Sequence, residues 1–305
     1  MVQIGIASGR NAETTVARCR ALGVNRVALY CAAFRAEGGE DVPDLDRLRG
    51  VIRQLSDASI AAPAIIQWFG NDPAMVLDRS GHRREIEAMR RTISVVGRAG
   101  IRSMLHYVDL AESADPADDA AYWDGLIAVF RELVAEAEQA DVRIANHGIW
   151  RCLPDDLRAS ALRSGVRASD YRHYRPEGWR GPYLVRDAEG IQRLLDAVPS
   201  PCNGVAFCTG MHITGGDVPS LVGRFRGKVH FAQARDVRGR WPAAEEVFPG
   251  EGELDFPRIL RLLREAGYEG MIHPEHLGHP RGPEDDLEAR AVAYLKAALF
   301  TSAPR

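Results

Sequence analysis

Four side chains able to hold a metal ion stand at the ends of short apolar runs in the second half of the chain. His147 follows the run Val142–Asn146, Cys208 follows Gly204–Phe207, Gln233 ends Lys228–Gln233, and Glu275 lies just beyond Gly270–His273. Singly, each has an ordinary explanation, since a strand cysteine usually packs as a small hydrophobe and a strand-end histidine or glutamate is usually solvated or hydrogen-bonded. Their coincidence at equal depth on four consecutive strands is what points to chemistry. Imidazole, thiolate, amide oxygen and carboxylate together make a mixed N/S/O shell. Such a shell suits Mn²⁺, Fe²⁺, Co²⁺ or Zn²⁺ better than Mg²⁺ or Ca²⁺, because a thiolate is a soft ligand. On the seventh strand His230 is the better intrinsic ligand and the rival to Gln233, but it has the opposite side-chain parity. Gln233 and Arg235 share a face; if that face is the interior, Gln233 coordinates and His230 packs outward against the helices.

Acid–base and substrate-holding groups surround these four. His276 has an ordinary pKa of about 6.5, suited to proton transfer near neutrality; its alternative role is to orient Glu275. Arg235 either grips a substrate carboxylate through two parallel N–H donors or pairs with Asp236 or Glu275. Tyr30, Trp68, His106 and Tyr107 end strands two to four and, with His212 and His273, are candidate substrate-binding residues. A proton-transfer partner for His276 is sought among Tyr171, His173, Tyr174, Tyr183, His212 and His279. Arg172, Arg175, Arg180 and Arg186 form either a solvated loop face or an entry for an anionic substrate under a lid.

Strand ends matter only if the strands are parallel and point one way, and the pattern of the chain predicts that. Apolar runs alternate with amphipathic stretches from Val2–Ala7 and Ala12–Leu22 through Arg26–Cys31, Leu45–Ser59, Ala61–Gln67, Arg83–Ala99, Ser103–Leu110 and Ala120–Gln139. After Val142–Asn146 the rhythm breaks in a long loop, Gly148–Val185, with weak helical character only near Asp155–Arg163. It resumes with helix Asp187–Ala197, strand Gly204–Phe207, helix Val218–Phe225, strand Lys228–Gln233, helix Phe256–Ala266, strand Gly270–His273 and helix Glu284–Leu299. Eight strand–helix units predict a single (β/α)8 TIM barrel over residues 1–305, whose active site sits where strands run into the following loops. A doubly wound sheet would carry a Gly-rich phosphate turn after its first strand, and Ser8–Glu13 is not one.

Composition is that of an ordinary globular protein. Hydrophobic residues make up 46% and charged residues 27% of 305, and the net charge of −3 gives no reason to expect nucleic acid as a partner. Five cysteines without regular spacing make no disulfide framework. The opening MVQIGIASGR lacks the features of a secretory signal, and no apolar run approaches the ~20 residues of a membrane helix. The expectation is a cytoplasmic protein with reduced thiols, no membrane contact and room for a homo-oligomer.

The stretch Asp196–Asp236, with DAVPSPCNGVAFCTG and VPSLVGRFRGKVHFAQARD, resembles the mannonate dehydratase family within the xylose-isomerase-like barrels; HPEHLG at His273–Gly278 resembles that family's Arg-Pro-Asp-His-Gly. The likeness is close over Asp196–Gly278 and loose elsewhere, and FCTG is its most specific element. It implies a hydro-lyase that converts a sugar acid to a 2-keto-3-deoxy acid with Mn²⁺ or Fe²⁺. By position it implies metal ligands at His147, Cys208, Gln233 and Glu275 and a catalytic histidine at His276.

This chain departs from the pattern at several points. Gln233 stands where the family's His-x-Arg-Asn has histidine, and Glu275 stands for aspartate. His-Gly-Ile-Trp replaces His-Pro-Asp-Asp after strand five, and HPRGPEDDLEAR offers no match to the family's catalytic tyrosine. Gln on strand seven and Glu on strand eight are similar to hydroxypyruvate isomerases and sugar epimerases. The alternatives are therefore a metal-dependent sugar or keto-acid isomerase or epimerase, or a non-catalytic metal- or ligand-binding homologue.

Overall fold

The computed structural model describes residues 2–9, 11–35, 42–67, 73–107, 120–148, 163, 187–278, 282 and 284–302. Its strands are β1 (Gln3–Ile4), β2 (Ile6–Ser8), β3 (Arg26–Tyr30), β4 (Ala61–Gln67), β5 (Ser103–Tyr107), β6 (Arg143–His147), β7 (Asn203–Cys208), β8 (Val229–Ala234), β9 (Asp236–Arg238), β10 (Glu245–Val247) and β11 (Met271–Pro274). Nine of them make one parallel sheet in the order β1-β11-β8-β7-β6-β5-β4-β3-β2. β1 and β2 are the two halves of the expected first strand. The first half pairs with β11 and the second with β3, so the sheet curls back on itself as a TIM barrel of eight positions. The break falls at Gly5, where a Cβ would sit 2.8 Å from the Arg26 carbonyl oxygen and 2.6 Å from the Met271 methyl. Only a residue without a side chain lets the chain change partners there.

Alternation along the strands separates two apolar layers. Ala28, Ala64, Ile66, Leu105, Ala145, Ala206, Phe231 and Met271 fill the lumen with Tyr107 above them. Val27, Leu29, Ile65, Met104, Ile144, Phe207 and Ile272 face the helices. These helices are α1 (Ala12–Leu22), α2 (Leu45–Asp57), α3 (Pro73–Leu77), α4 (Arg83–Arg98), α5 (Ala120–Ala140), α6 (Ala188–Ala197), α7 (Val218–Arg224), α8 (Phe256–Glu265) and α9 (Leu287–Thr301). In α4 the buried residues Ile86, Met89, Ile93 and Val96 recur at three- and four-residue spacing, the stripe a barrel helix needs.

The turns that enter the helices are specified locally. Asn11, Asp44, Asp187, Asp255 and Asp286 each accept a hydrogen bond from the backbone N–H three residues on. A cap of this kind contributes about 1 kcal/mol and fixes where the helix begins.

Three elements differ from the sequence expectation. The short helix α3 precedes α4. The antiparallel hairpin of β9 and β10 follows β8 as a separate two-stranded ribbon. The seventh barrel strand carries an irregularity, in which Val205 pairs with Val229 but the next residue, Ala206, pairs with Phe231. The weak helix expected near 155–163 falls, apart from residue 163, outside the described residues, as does most of the loop around it.

Candidate metal centre

The carboxyl ends of β6, β7, β8 and β11, neighbours in the sheet, deliver His147, Cys208, Gln233 and Glu275 to one rim. Register makes the levels match: Tyr107 pairs with His147 and Cys208 with Gln233, and the Glu275 N–H donates to the Ala234 carbonyl at 3.0 Å, extending the ladder past β11. Donor atoms of His147, Cys208 and Glu275 all lie within 4.8 Å of one another. Cys208 Sγ donates to Glu275 Oε1 at 2.9 Å, and Gln233 Nε2 donates to Glu275 Oε2.

These residues fit a divalent cation. His147 Nδ1 donates to the Gly148 carbonyl, which leaves Nε2 as the lone-pair nitrogen. Burial drops the His147 pKa to about 3, with the Arg235 and His276 charges adding to the effect, so the imidazole is neutral. Gln233 Oε1 is buried and, among the described residues, meets no donor in hydrogen-bonding geometry. Burial, reinforced by the Glu275 carboxylate, pushes the Cys208 thiol well above its ordinary range. A thiolate there requires a compensating cation, and metal binding would release that proton.

The FCTG sequence has a physical reading in this setting. Cys208 supplies sulfur at the end of β7. Thr209 Oγ1 donates to the Arg235 carbonyl at 2.6 Å and accepts from the Arg235 N–H at 2.8 Å, clamping the ends of β7 and β8 together. A Cβ on Gly210 would meet Arg235 Cδ at 2.9 Å and Cys208 Sγ at 3.1 Å, so glycine leaves the passage the guanidinium occupies.

Around this centre the candidate residues separate. The Tyr107 ring stacks against His147 with centroids 4.6 Å apart, and its phenol pKa is raised by burial and by the Glu275 carboxylate. Burial and the same carboxylate also raise Tyr30, which packs on the lumen cluster. His273 faces the lumen against Phe231, with its Nδ1 donating to the Pro274 carbonyl and its Nε2 buried without a partner among the described residues.

Four expectations need correction. His106 is turned away from the rim and packs edge-on to Phe130 of α5, because alternation from lumen-facing Leu105 and Tyr107 points it outward. His212 is committed to Glu253, its Nε2 3.0 Å from Oε2. His230 sits at the amino end of β8, far from the rim along the strand, where its Nδ1 donates to the Ile144 carbonyl at 2.9 Å. The two-for-one register beside it places its ring against Gly204 rather than simply outward, as strict parity requires. Arg235 is buried and, among the ion pairs of the described residues, meets Glu246 of the hairpin rather than Asp236 or Glu275. Asp236 instead accepts backbone N–H groups from Val237, Gly250, Gly252 and Leu254, tying down the chain beyond β10; its burial still raises its pKa. Trp68, His279 and the loop residues Tyr171, Arg172, His173, Tyr174, Arg175, Arg180, Tyr183 and Arg186 lie outside the described residues.

Glu246 escaped the sequence reading. Besides Arg235, its Oε1 reaches His276 Nδ1 at 3.0 Å. Although partial burial works in the opposite direction, the His276 hydrogen bond and the Arg235 charge hold its pKa below the ordinary carboxylate value. The one available signal was a short β-ribbon alternation between Asp236 and Val247, too brief to register as an element.

Residues 178–289 match the family model for D-mannonate dehydratase (UxuA), a span that includes Cys208, Gln233, Arg235, Glu275 and His276. The chain is 27% identical over 166 residues to the mannonate dehydratase of Thermotoga petrophila, covering 52% of this chain and 40% of that protein. It is 31% identical over 100 residues to that of Enterococcus faecalis, covering 31% of this chain and 28% of the relative. The matched region thus spans less than half of the curated relatives' length. Over the whole fold it is similar to the mannonate dehydratase of Streptococcus suis serotype 2 (TM-score 0.74, 15% identity, 99% of this chain and 95% of that one). It also resembles an L-ribulose 3-epimerase (TM-score 0.69, 18% identity, 99% and 96%).

Proposed function

We propose, for a chain that is a divergent relative of the mannonate dehydratases within the xylose-isomerase-like barrels, that it is a divalent-metal-dependent hydro-lyase acting on a sugar acid to give a 2-keto-3-deoxy acid. The observation that carries the reading is the convergence of His147, Cys208 and Glu275 within 4.8 Å, on strand ends of which two lie inside the matched span. His147, Cys208, Gln233 and Glu275 would hold the ion, with Mn²⁺ or Fe²⁺ favoured and Co²⁺ or Zn²⁺ compatible with the sulfur ligand. When bound, the metal supplies Lewis-acid polarisation of substrate oxygens, which acidifies a neighbouring hydroxyl or C–H.

The remaining work falls to the protein's own groups. Dehydration needs a base at the carbon beside the carboxylate and an acid at the departing hydroxyl. His276 is half-exposed, borders Glu275 and is held through Nδ1, which leaves Nε2 to carry a proton to or from the substrate. Tyr30 and Tyr107 wall the lumen beside Glu275, and His273 offers its unpartnered Nε2 below them. Arg235 places its charge behind the Cys208 and His147 side chains, where it favours an anionic substrate on the open side. The substrate is a small molecule, and no helix among the described residues is long and apolar enough to cross a membrane. We place the protein in the cytoplasm.

A second reading, sugar isomerisation or epimerisation, draws support from Gln233 and Glu275 and from the epimerase-like fold neighbours. It requires a second base opposite Glu275. Among the described residues the nearest acidic addition to the rim is Glu246, which is already committed to Arg235 and His276. That commitment favours dehydration. The deciding experiment is elemental analysis of the purified protein followed by a sugar-acid and ketose screen, reading 2-keto-3-deoxy acid and carbonyl migration separately. Stoichiometric first-row metal with 2-keto-3-deoxy acid formation is expected; carbonyl migration alone overturns the dehydratase reading. Metal and ligand binding without turnover identifies a binding homologue.

A further inference from the structure

We propose that Glu246, on the hairpin of β9 and β10, is a positioning residue that couples the two catalytic candidates, Arg235 and His276, and so sets the geometry of proton transfer at the rim. This rests on the reading of the rim as a hydro-lyase site.

The hairpin is not part of the barrel sheet; among the described residues β10 pairs with β9 alone, with Glu246 opposite Val237. It is nonetheless held firmly, because Asp236 gathers the N–H groups of Val237, Gly250, Gly252 and Leu254. The glycine at 278 also permits close packing, since a Cβ there would lie 3.2 Å from Val247 Cα. This framework presents one carboxylate oxygen to two side chains from different strand ends. One partner, Arg235, is buried behind the candidate ligands. The other, His276, is half-exposed and adopts a left-handed backbone conformation with φ 49°. That conformation costs a non-glycine residue about 1 kcal/mol or more and persists only where the surroundings hold it. A carboxylate 3.0 Å from Nδ1 fixes the ring's tautomer and direction as well as its backbone.

The test uses the 305-residue chain labelled with ¹⁵N-histidine, with His276→Gln identifying the His276 ring signals. In Glu246→Gln the amide oxygen still accepts from Arg235, but the negative charge that held His276 is gone. The expected result in metal-free protein is a change in the His276 ring resonances, with those of His147 unmoved. In the metal-loaded enzyme, metal content is expected to stay at the parent level while kcat falls about 10- to 100-fold and KM moves less than about threefold. Glu246→Asp keeps the charge but draws it back by one methylene from the position that meets His276; it is expected to move the same resonances and serves if the glutamine variant folds poorly. Unchanged His276 resonances in a folded variant overturn the proposal, as does a loss of kcat that merely follows a loss of metal. If the parent turns over no sugar acid or ketose, the hydro-lyase reading fails, and the resonances still decide whether Glu246 positions His276.

Discussion

At Cys208, burial and the Glu275 carboxylate both oppose ionisation, so the thiol keeps its proton and donates a hydrogen bond to Glu275. Under the proposed function a cation would replace that proton, which makes Cys208 the sharpest probe of the candidate centre. Cys208→Ala is expected to lose most of its bound metal by elemental analysis, with little change in fold because the residue is small and the β7–β8 clamp runs through Thr209. Full metal occupancy in that variant contradicts the ligand set. The positions of His147, Cys208 and Glu275 were legible because parallel strands of equal depth carry their last residues to one rim. His106 was misplaced by assuming that a strand-end residue faces the lumen, when its neighbours Leu105 and Tyr107 already occupy that face. Glu246 was illegible for a different reason: its partners are 11 residues before it and 30 after it, brought together by a ribbon that no periodicity announces.

Helices were legible to within a few residues, since amphipathic spacing acts locally, as in α4, and so do Asn or Asp caps where they occur. What spacing does not show is how closely two helices approach. Gly97 in α4 lies where a Cβ would fall 2.3 Å from the Ala140 carbonyl oxygen at the end of α5. In an isolated helix Gly→Ala gains about 1 kcal/mol. Here a backbone oxygen is in the way, and backbone cannot swing aside as a flexible side chain does. Gly97→Ala is therefore expected to destabilise, by about 1–3 kcal/mol, as a shift in urea midpoint. A stabilised variant would mean that α4 and α5 pack less tightly than described.

Among the described residues, three histidines outside the candidate ligands are buried as neutral rings: His106, His230 and His273, each brought down to about 4 by burial. In the unfolded chain a histidine titrates near ~6.5. Above that pH neither state takes the proton. As pH falls from about 6.5 toward about 4, the unfolded chain binds protons that the folded barrel refuses, so stability is lost through that window. The urea midpoint is expected to fall from about pH 7.5 to about pH 5, a range above most carboxylate titration. His230→Gln, whose amide can still donate to the Ile144 carbonyl, should show a smaller fall. Equal slopes in parent and variant would count against a buried neutral His230.

The sequence by itself determined the barrel class, the order of strand–helix units and the strand ends that carry His147, Cys208 and Glu275. Each of these follows from short-range rules, periodicity, caps and the direction of parallel strands, which act within one unit at a time. Only the tertiary structure decided where the first strand changes partners at Gly5, how an irregular register at Val229–Phe231 diverts His230, and that Glu246 joins Arg235 to His276. Those outcomes depend on barrel closure and on contacts between segments remote in sequence. Their energies arise only when the sheet has curled and the hairpin has packed on its rim.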